Sequence, residues 1–201
     1  MDINIHNLFP TPVVQYHLHE ITPNDMKEVE EYSKDTLQNS GNKTSKETYV
    51  LNKSLSRIRE FIETCIKDYT NNVICPGPGI EFEITQSWLN YSKPGDSHHK
   101  HRHANSIVSG VFYFEADLDT DAIHFDNEIP STISIIPTQY NIWNSRSWRL
   151  PVQTGDLVLF PSHLIHYVKP VEGEKQRISL AFNVFPRGNI GDQVGLTALT
   201  V

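Results

Sequence analysis

Residues 155–166 read Gly-Asp-Leu-Val-Leu-Phe-Pro-Ser-His-Leu-Ile-His. Gly155-Asp156 forms a tight turn, Leu157–Phe160 an apolar strand without polar alternation, and Pro161 ends it. His166 follows within Leu-Ile-His-Tyr-Val, where Ile165 and Tyr167 face away from it. Eleven residues later comes Arg177-Ile178-Ser179-Leu180-Ala181-Phe182-Asn183. In a strand, alternate side chains share a face, so Arg177, Ser179, Ala181 and Asn183 oppose Ile178, Leu180 and Phe182. An arginine and a serine on one face of an apolar strand need a polar partner, because an unpaired buried guanidinium is costly. An internal Asp or Glu is the commoner answer. A carboxylate ligand is the other, matched by the planar fork of Arg177 and the hydroxyl of Ser179.

Working back along the chain, the same kind of pattern carries metal-ligand chemistry. Ten histidines are present, and five of them fall within residues 98–124. In His98-His99-Lys100-His101-Arg102-His103-Ala104-Asn105, strand alternation puts His99, His101, His103 and Asn105 on one face. A His-x-His pair on one strand can present two imidazoles to one ion. Read alone, the segment fits a solvated polar loop equally well. His124, in Ala122-Ile123-His124-Phe125-Asp126, reads as a surface or structural residue.

The chain around these segments is expected to be mostly β. From Glu81 on, stretches rich in Ile, Val, Phe, Tyr, Trp and Thr are punctuated by Pro, Gly, Asn and Asp. They predict strands over 81–91, 98–105, 106–116, 121–126, 132–143, 147–152, 156–161, 164–169 and 176–185. Many short strands at this spacing suggest a sandwich, jelly roll or barrel. Before them, residues 9–18 read as extended, since Pro10 and Pro12 exclude a helix. Thr22-Pro23 caps a helix running to about Gln38, and Asn39–Lys46 is a loop. Leu51, Leu55, Ile58, Phe61, Ile62, Cys65, Ile66 and Tyr69 recur at helical spacing and predict a second helix, with Cys65 in its core stripe. The expectation is one domain of 201 residues: an N-terminal strand and helical support over 1–75, a β core over 81–187, and an irregular tail over 188–201.

Composition bounds the function. The mean hydropathy of −0.41 and ordinary charge content are those of a soluble globular chain. There is no membrane-spanning stretch and no signal peptide, and two cysteines make no disulfide framework, so a cytoplasmic setting is expected. A formal charge of −7 argues against tight non-specific nucleic-acid binding. Assembly as a homodimer is compatible with all of this.

Taken in order, His-x-His at 101–103, the run from Gly155 to His166, and Arg-x-Ser at 177–179 resemble the 2-oxoglutarate and Fe(II)-dependent oxygenase superfamily. More narrowly, the chain resembles a small oxygenase family of marine bacteria and cyanophages. Leu8-Phe9-Pro10-Thr11-Pro12-Val13 and Ser109-Gly110-Val111-Phe112-Tyr113 extend the likeness over nearly the whole chain. The resemblance implies a double-stranded β-helix (a cupin-like jelly roll) and an Fe(II) site made by His101, His103 and His166. It implies 2-oxoglutarate as cosubstrate, its distal carboxylate held by Arg177 and Ser179, with Tyr113 and Asn90 adding contacts. Trp88, Asn105 and Asn183 are candidate pocket walls. It implies hydroxylation of a substrate with release of succinate and CO2. One departure stands out: most of the superfamily has Asp or Glu where this chain has His103. Asp126 and Asp96 are candidates to supply that carboxylate. Two rival readings are a cupin-like three-histidine enzyme that does not use 2-oxoglutarate, and a non-catalytic roll that binds a small carboxylate or sugar.

Overall fold

A computed structural model describes residues 1–128 and 133–201. The elements are, in chain order, β1 (Val14–His17), α1 (Pro23–Ser33), β2 (Thr36–Gln38), β3 (Lys43–Ser45), α2 (Val50–Lys53), α3 (Ser56–Tyr69), β4 (Glu81–Ser92), β5 (His98–His101), β6 (Val108–Glu115), β7 (Ala122–Asp126), β8 (Ser147–Pro151), β9 (Asp156–Pro161), β10 (Ile165–Val168), β11 (Arg177–Arg187), β12 (Asn189–Ile190) and β13 (Leu199–Thr200). A major sheet runs β1-β9-β6-β11-β4-β3-β2, and a minor sheet runs β5-β10-β7-β8. All their ladders are antiparallel. The two sheets face each other as a double-stranded β-helix.

The apolar run of β9 lacks alternation because both of its faces are covered, which removes the usual polar side. Leu157 and Leu159 point outward into a core shared with Phe112, Phe114, Leu180 and Phe182 and with Ile58, Ile62, Cys65 and Ile66 of α3. Val158 and Phe160 point inward, where they meet Tyr113 of the major sheet and Ile123 and Phe125 of the minor sheet. The stripe at three- and four-residue spacing in α3 is therefore a lid on the outer face of the major sheet, with Phe61 edge-on to Phe112 at 6.1 Å between centroids. Each such large side chain contributes roughly 1.5–3 kcal/mol by leaving water. Cys65 lies in this stripe, and burial pushes its thiol up to about 12, so it is an inert core group.

Several boundaries differ from expectation. Thr22 does cap α1, through a reciprocal box with Asp25, but the helix ends at Ser33 and β2 occupies Thr36–Gln38. The loop expected at 39–46 contains β3 and closes a hairpin with β2. The second helix is broken at Leu55, which takes a left-handed φ of 59° and separates α2 from α3. The tail folds back as the β12–β13 hairpin, Asn189 opposite Thr200. The strand expected at 132–143 begins at a residue outside the described ones, and residues 133–143 contain no strand. Pro137 cannot donate to a ladder, and Ile135 and Ile136 are exposed, so composition there imitated a strand that no neighbour pairs. Among the described residues, no helix is long and apolar enough to cross a bilayer.

One glycine is fixed by packing. A Cβ on Gly110 would lie 2.1 Å from Cζ of Phe182, a side chain with 0% exposure in the outer core. Gly110→Val is expected to lower the unfolding free energy by about 1–3 kcal/mol through overpacking, read as a shifted midpoint in urea. An unchanged midpoint would mean that the Phe182 ring has room to move.

Candidate metal centre

The register of three strands assembles the histidines. His166 of β10 lies opposite His101 of β5 and, on its other side, opposite Phe125 of β7. His103 lies beyond the end of β5, where its backbone N–H donates to the Ser162 carbonyl at 3.0 Å. That bond, rather than strand alternation, turns its ring back toward the others. One ring nitrogen each from His101, His103 and His166 lies within 4.8 Å of the other two. Nε2 of His103 and Nε2 of His166 are 3.3 Å apart.

The opposite ring nitrogens are already committed. Nδ1 of His101 is 2.9 Å from the His99 carbonyl, and Nδ1 of His166 is 3.0 Å from the Leu164 carbonyl. A carbonyl can only accept, so each Nδ1 carries the proton and each Nε2 offers a lone pair to the shared centre. Phe160 packs edge-on against His166 at 4.7 Å, and Trp88 lies 5.8 Å from His103. Burial pulls the imidazoles down, to about 4 for His98 and His103 and about 3 for His166, with neighbouring histidines adding to the shift. Neutral imidazoles with directed lone pairs suit a divalent ion such as Fe(II), Zn(II) or Ni(II).

The histidines form one wall of a pocket of about 60 Å³ whose other wall comes from the major sheet. There Asn90 of β4, Ser179 of β11 and Tyr113 of β6 lie directly opposite one another across two ladders, forming one polar row. Burial pushes the Tyr113 phenol up, so it is a donor. Arg177, 5% exposed, stands one step along β11 from this row, and its Nε and Nη1 have no hydrogen-bond partner among the described residues. An internal acid is nearby: Asp121 comes within 3.9 Å of Nη1, too far for a hydrogen bond. The guanidinium is thus charge-compensated but still short of acceptors, which is the condition a carboxylate ligand would relieve.

Of the residues expected around the site, His101, His103, His166, Arg177, Ser179, Tyr113, Asn90 and Trp88 do line this pocket. Asn105 does not. The strand ends at His101, so alternation no longer applies, and Asn105 sits exposed with a left-handed φ of 53°. Asn183 is turned to an internal hydrogen bond, accepting from Ser109 Oγ at 3.2 Å. Neither Asp126 nor Asp96 joins the histidines: Asp126 pairs with Lys100, and Asp96 accepts from the Lys93 backbone. Among the described residues the cluster holds three histidines and no carboxylate.

Two wall residues carry no signal in the sequence. His98, assigned by alternation to the face opposite His101, lines the pocket with its ring 4.7 Å from that of His101. Asn42 is delivered by the tip of the β2–β3 hairpin and reaches Asn90 at 3.4 Å. The tip is pinned where the Ser97 N–H donates to the Gly41 carbonyl at 3.0 Å. Gly41 is required there, since at φ 93° a Cβ would lie 2.4 Å from the Ser97 carbonyl oxygen.

Residues 86–183 match the family described as "Putative 2OG-Fe(II) oxygenase". Over that stretch the chain is similar to the 2-oxoglutarate/Fe(II)-dependent oxygenases. Solved structures agree on the fold. A 2OG-Fe(II) oxygenase family oxidoreductase from Burkholderia pseudomallei superposes with a TM-score of 0.57 at 10% identity, covering 86% of this chain and 84% of its own. HygX from Streptomyces hygroscopicus, with nickel and 2-oxoglutarate bound, gives 0.58 at 11% identity, with 87% and 83% covered. A prolyl-4-hydroxylase from Pseudomonas putida gives 0.53 at 14% identity, with 86% and 92% covered. No curated protein sequence matches the chain. In this chain the inward ring of histidines and the buried arginine occupy opposed walls of one small pocket.

The depressed histidines set an acid limit for the metal-free protein. The unfolded chain takes up protons near the ordinary histidine value of 6.5, whereas folded His103 and His166 resist them down to about 4 and about 3. Between those values the unfolded state binds more protons, so stability falls as pH falls. The melting temperature is expected to drop between pH 6.5 and 4, and His166→Asn should flatten that slope. A flat profile in the wild type would contradict the burial of these imidazoles.

Proposed function

We propose that the chain is a cytoplasmic Fe(II)- and 2-oxoglutarate-dependent dioxygenase that hydroxylates its substrate. In this reading His101, His103 and His166 hold the iron through Nε2. Arg177 and Ser179 take the distal carboxylate of 2-oxoglutarate, with Tyr113 and Asn90 as hydrogen-bonding neighbours. The observation that carries it is a buried guanidinium short of acceptors, facing three convergent imidazoles across one pocket. Bound there, Fe(II) with 2-oxoglutarate supplies oxidising power: O2 is consumed, the cosubstrate becomes succinate and CO2, and one oxygen atom enters a substrate C–H bond.

The chain's own residues then do four things. The carbonyls of His99 and Leu164 hold the imidazoles of His101 and His166 in the ligating tautomer. Arg177 anchors one end of the cosubstrate so that its 2-oxo acid end is presented to the histidines. Tyr113 donates a hydroxyl without losing its proton. Phe160, Ile123 and Val111 keep water from the pocket floor. With no carboxylate among the ligands, the negative charge of the cosubstrate itself offsets the ion, so metal and cosubstrate reinforce each other's binding. The free thiols of Cys65 and Cys75 are consistent with a reducing compartment.

The all-histidine set also favours a second reading, a three-histidine enzyme that does not use 2-oxoglutarate. Anaerobic titration of the Fe(II)-loaded protein with 2-oxoglutarate separates the two. A visible metal-to-ligand charge-transfer band is expected, and Arg177→Ala should abolish it at the same cosubstrate concentration. Absence of a band, with tight zinc retention, would favour the second reading. His103→Asp is expected to keep or tighten iron binding, whereas His103→Ala should weaken it by about tenfold or more, as for loss of a ligand. Iron affinity unchanged in His103→Ala would remove His103 from the ligand set.

A further inference from the structure

Arg177 and Val168 are shared between the histidine pocket and a second cavity of about 120 Å³. On this measure a single water needs about 10–15 Å³, so the second cavity has room for a small ion with its hydration. Its wall includes Thr120, Asp121, His124, Arg149, Lys169 and Glu172. It brings together ends of β7, β8 and β10 with the loop leading to Asp121 and the start of β11.

One side of this wall is polar and buried, while Arg149, Lys169 and Glu172 stand exposed at its rim. Asp121, His124 and Arg177 are 5%, 7% and 5% exposed. His124 Nδ1, Thr120 Oγ1 and Arg177 Nε and Nη1 lack hydrogen-bond partners among the described residues. Buried polar atoms are almost always satisfied, and four unsatisfied ones on one cavity or its shared wall call for a polar occupant. Asp121 does not meet the demand. Its Oδ2 accepts from the Asp117 N–H at 2.9 Å, and its Oδ1 stops 3.9 Å from Arg177 Nη1.

The sign of the charge points the same way. Arg177, Arg149 and Lys169 outnumber Asp121 and Glu172, and the guanidinium and hydroxyl can donate. Burial holds His124 below the ordinary histidine range, and Lys169, Arg149 and Arg177 depress it further, so the imidazole senses a positive field. Of the two expectations for His124, surface or structural, burial on a cavity wall removes the first.

We propose that this cavity is a second binding site, for a small carboxylate-type oxyanion of formate or bicarbonate size, held by Arg177, His124 and Thr120. Because both pockets draw on one guanidinium, an anion here shares the charge available to a carboxylate in the histidine pocket. Each occupant then weakens the other by the same factor. This coupling rests on Arg177 anchoring 2-oxoglutarate, whereas the oxyanion site itself does not.

Calorimetric titration of the metal-free protein with sodium formate, at constant ionic strength, tests the site. One saturable event is expected. His124→Phe and Thr120→Val should each weaken it by about tenfold, the loss of one hydrogen bond to a charged group. Ser179→Ala, in the other pocket, should leave it unchanged. No saturable heat overturns the proposal. So does formate binding that survives both cavity substitutions in variants that melt like the wild type, or binding that is lost in Ser179→Ala. In the Fe(II)-loaded protein, saturating formate should raise the apparent Kd for 2-oxoglutarate to a plateau about fivefold higher. A rise without a plateau means direct competition and overturns the coupling. Formate binding with no 2-oxoglutarate binding leaves the oxyanion site standing and removes the cosubstrate reading alone.

Discussion

The major sheet is covered on both faces, and the remaining structure follows from that constraint. Helix α3 and its neighbours seal the outside with Ile58, Ile62 and Ile66, while the minor sheet closes the inside with Ile123 and Phe125. A polar side chain on the inner face is therefore largely withdrawn from bulk water, and finds partners within the roll or in the pocket. The inner face of β11 nonetheless carries Arg177 and Ser179, and its neighbours add Asn90 and Tyr113. Asn90 is met by Asn42, whereas Arg177 keeps two nitrogens without an acceptor among the described residues. The site is a consequence of double coverage as much as of the residues themselves.

The same enclosure controls protonation. His103 and His166 are neutral because water is excluded around them and their neighbours are other imidazoles, and neutrality is what a metal ligand requires. A carboxylate in place of His103 would bring its own charge into this pocket. With imidazole there instead, the cluster adds no negative charge of its own to the pocket.

The parts legible in the sequence were those where one strong local pattern has one structural answer. The run from Leu157 to Phe160, the alternation from Arg177 to Phe182 and the stripe of α3 all read through to the structure, because burial alone dictates them. His103 was found by a pattern that does not hold it: strand alternation stops at His101, and a single backbone bond to Ser162 restores the geometry. Asn105 was lost with the same alternation. The stretch 133–143 failed differently, since β-branched composition has no force without a neighbouring strand, and these residues have none. Asn42 was illegible in principle. A polar hairpin tip reads as a loop, and only the long-range tie from Gly41 to Ser97 carries it into the pocket.

That hairpin divides the labour of the fold. The histidines and the arginine all lie within residues 86–183, the segment that matches the family, whereas Asn42 enters from an N-terminal hairpin outside it. The wall that Asn42 supplies is joined to the rest through ladder bonds to β4 and one backbone tie at Ser97. A change of length or residue at the hairpin tip would recast the shape and polarity of the pocket without moving a ligand. Variation in what the pocket accepts is thus physically separable from the reaction it supports, and two parts of one chain can drift at different rates.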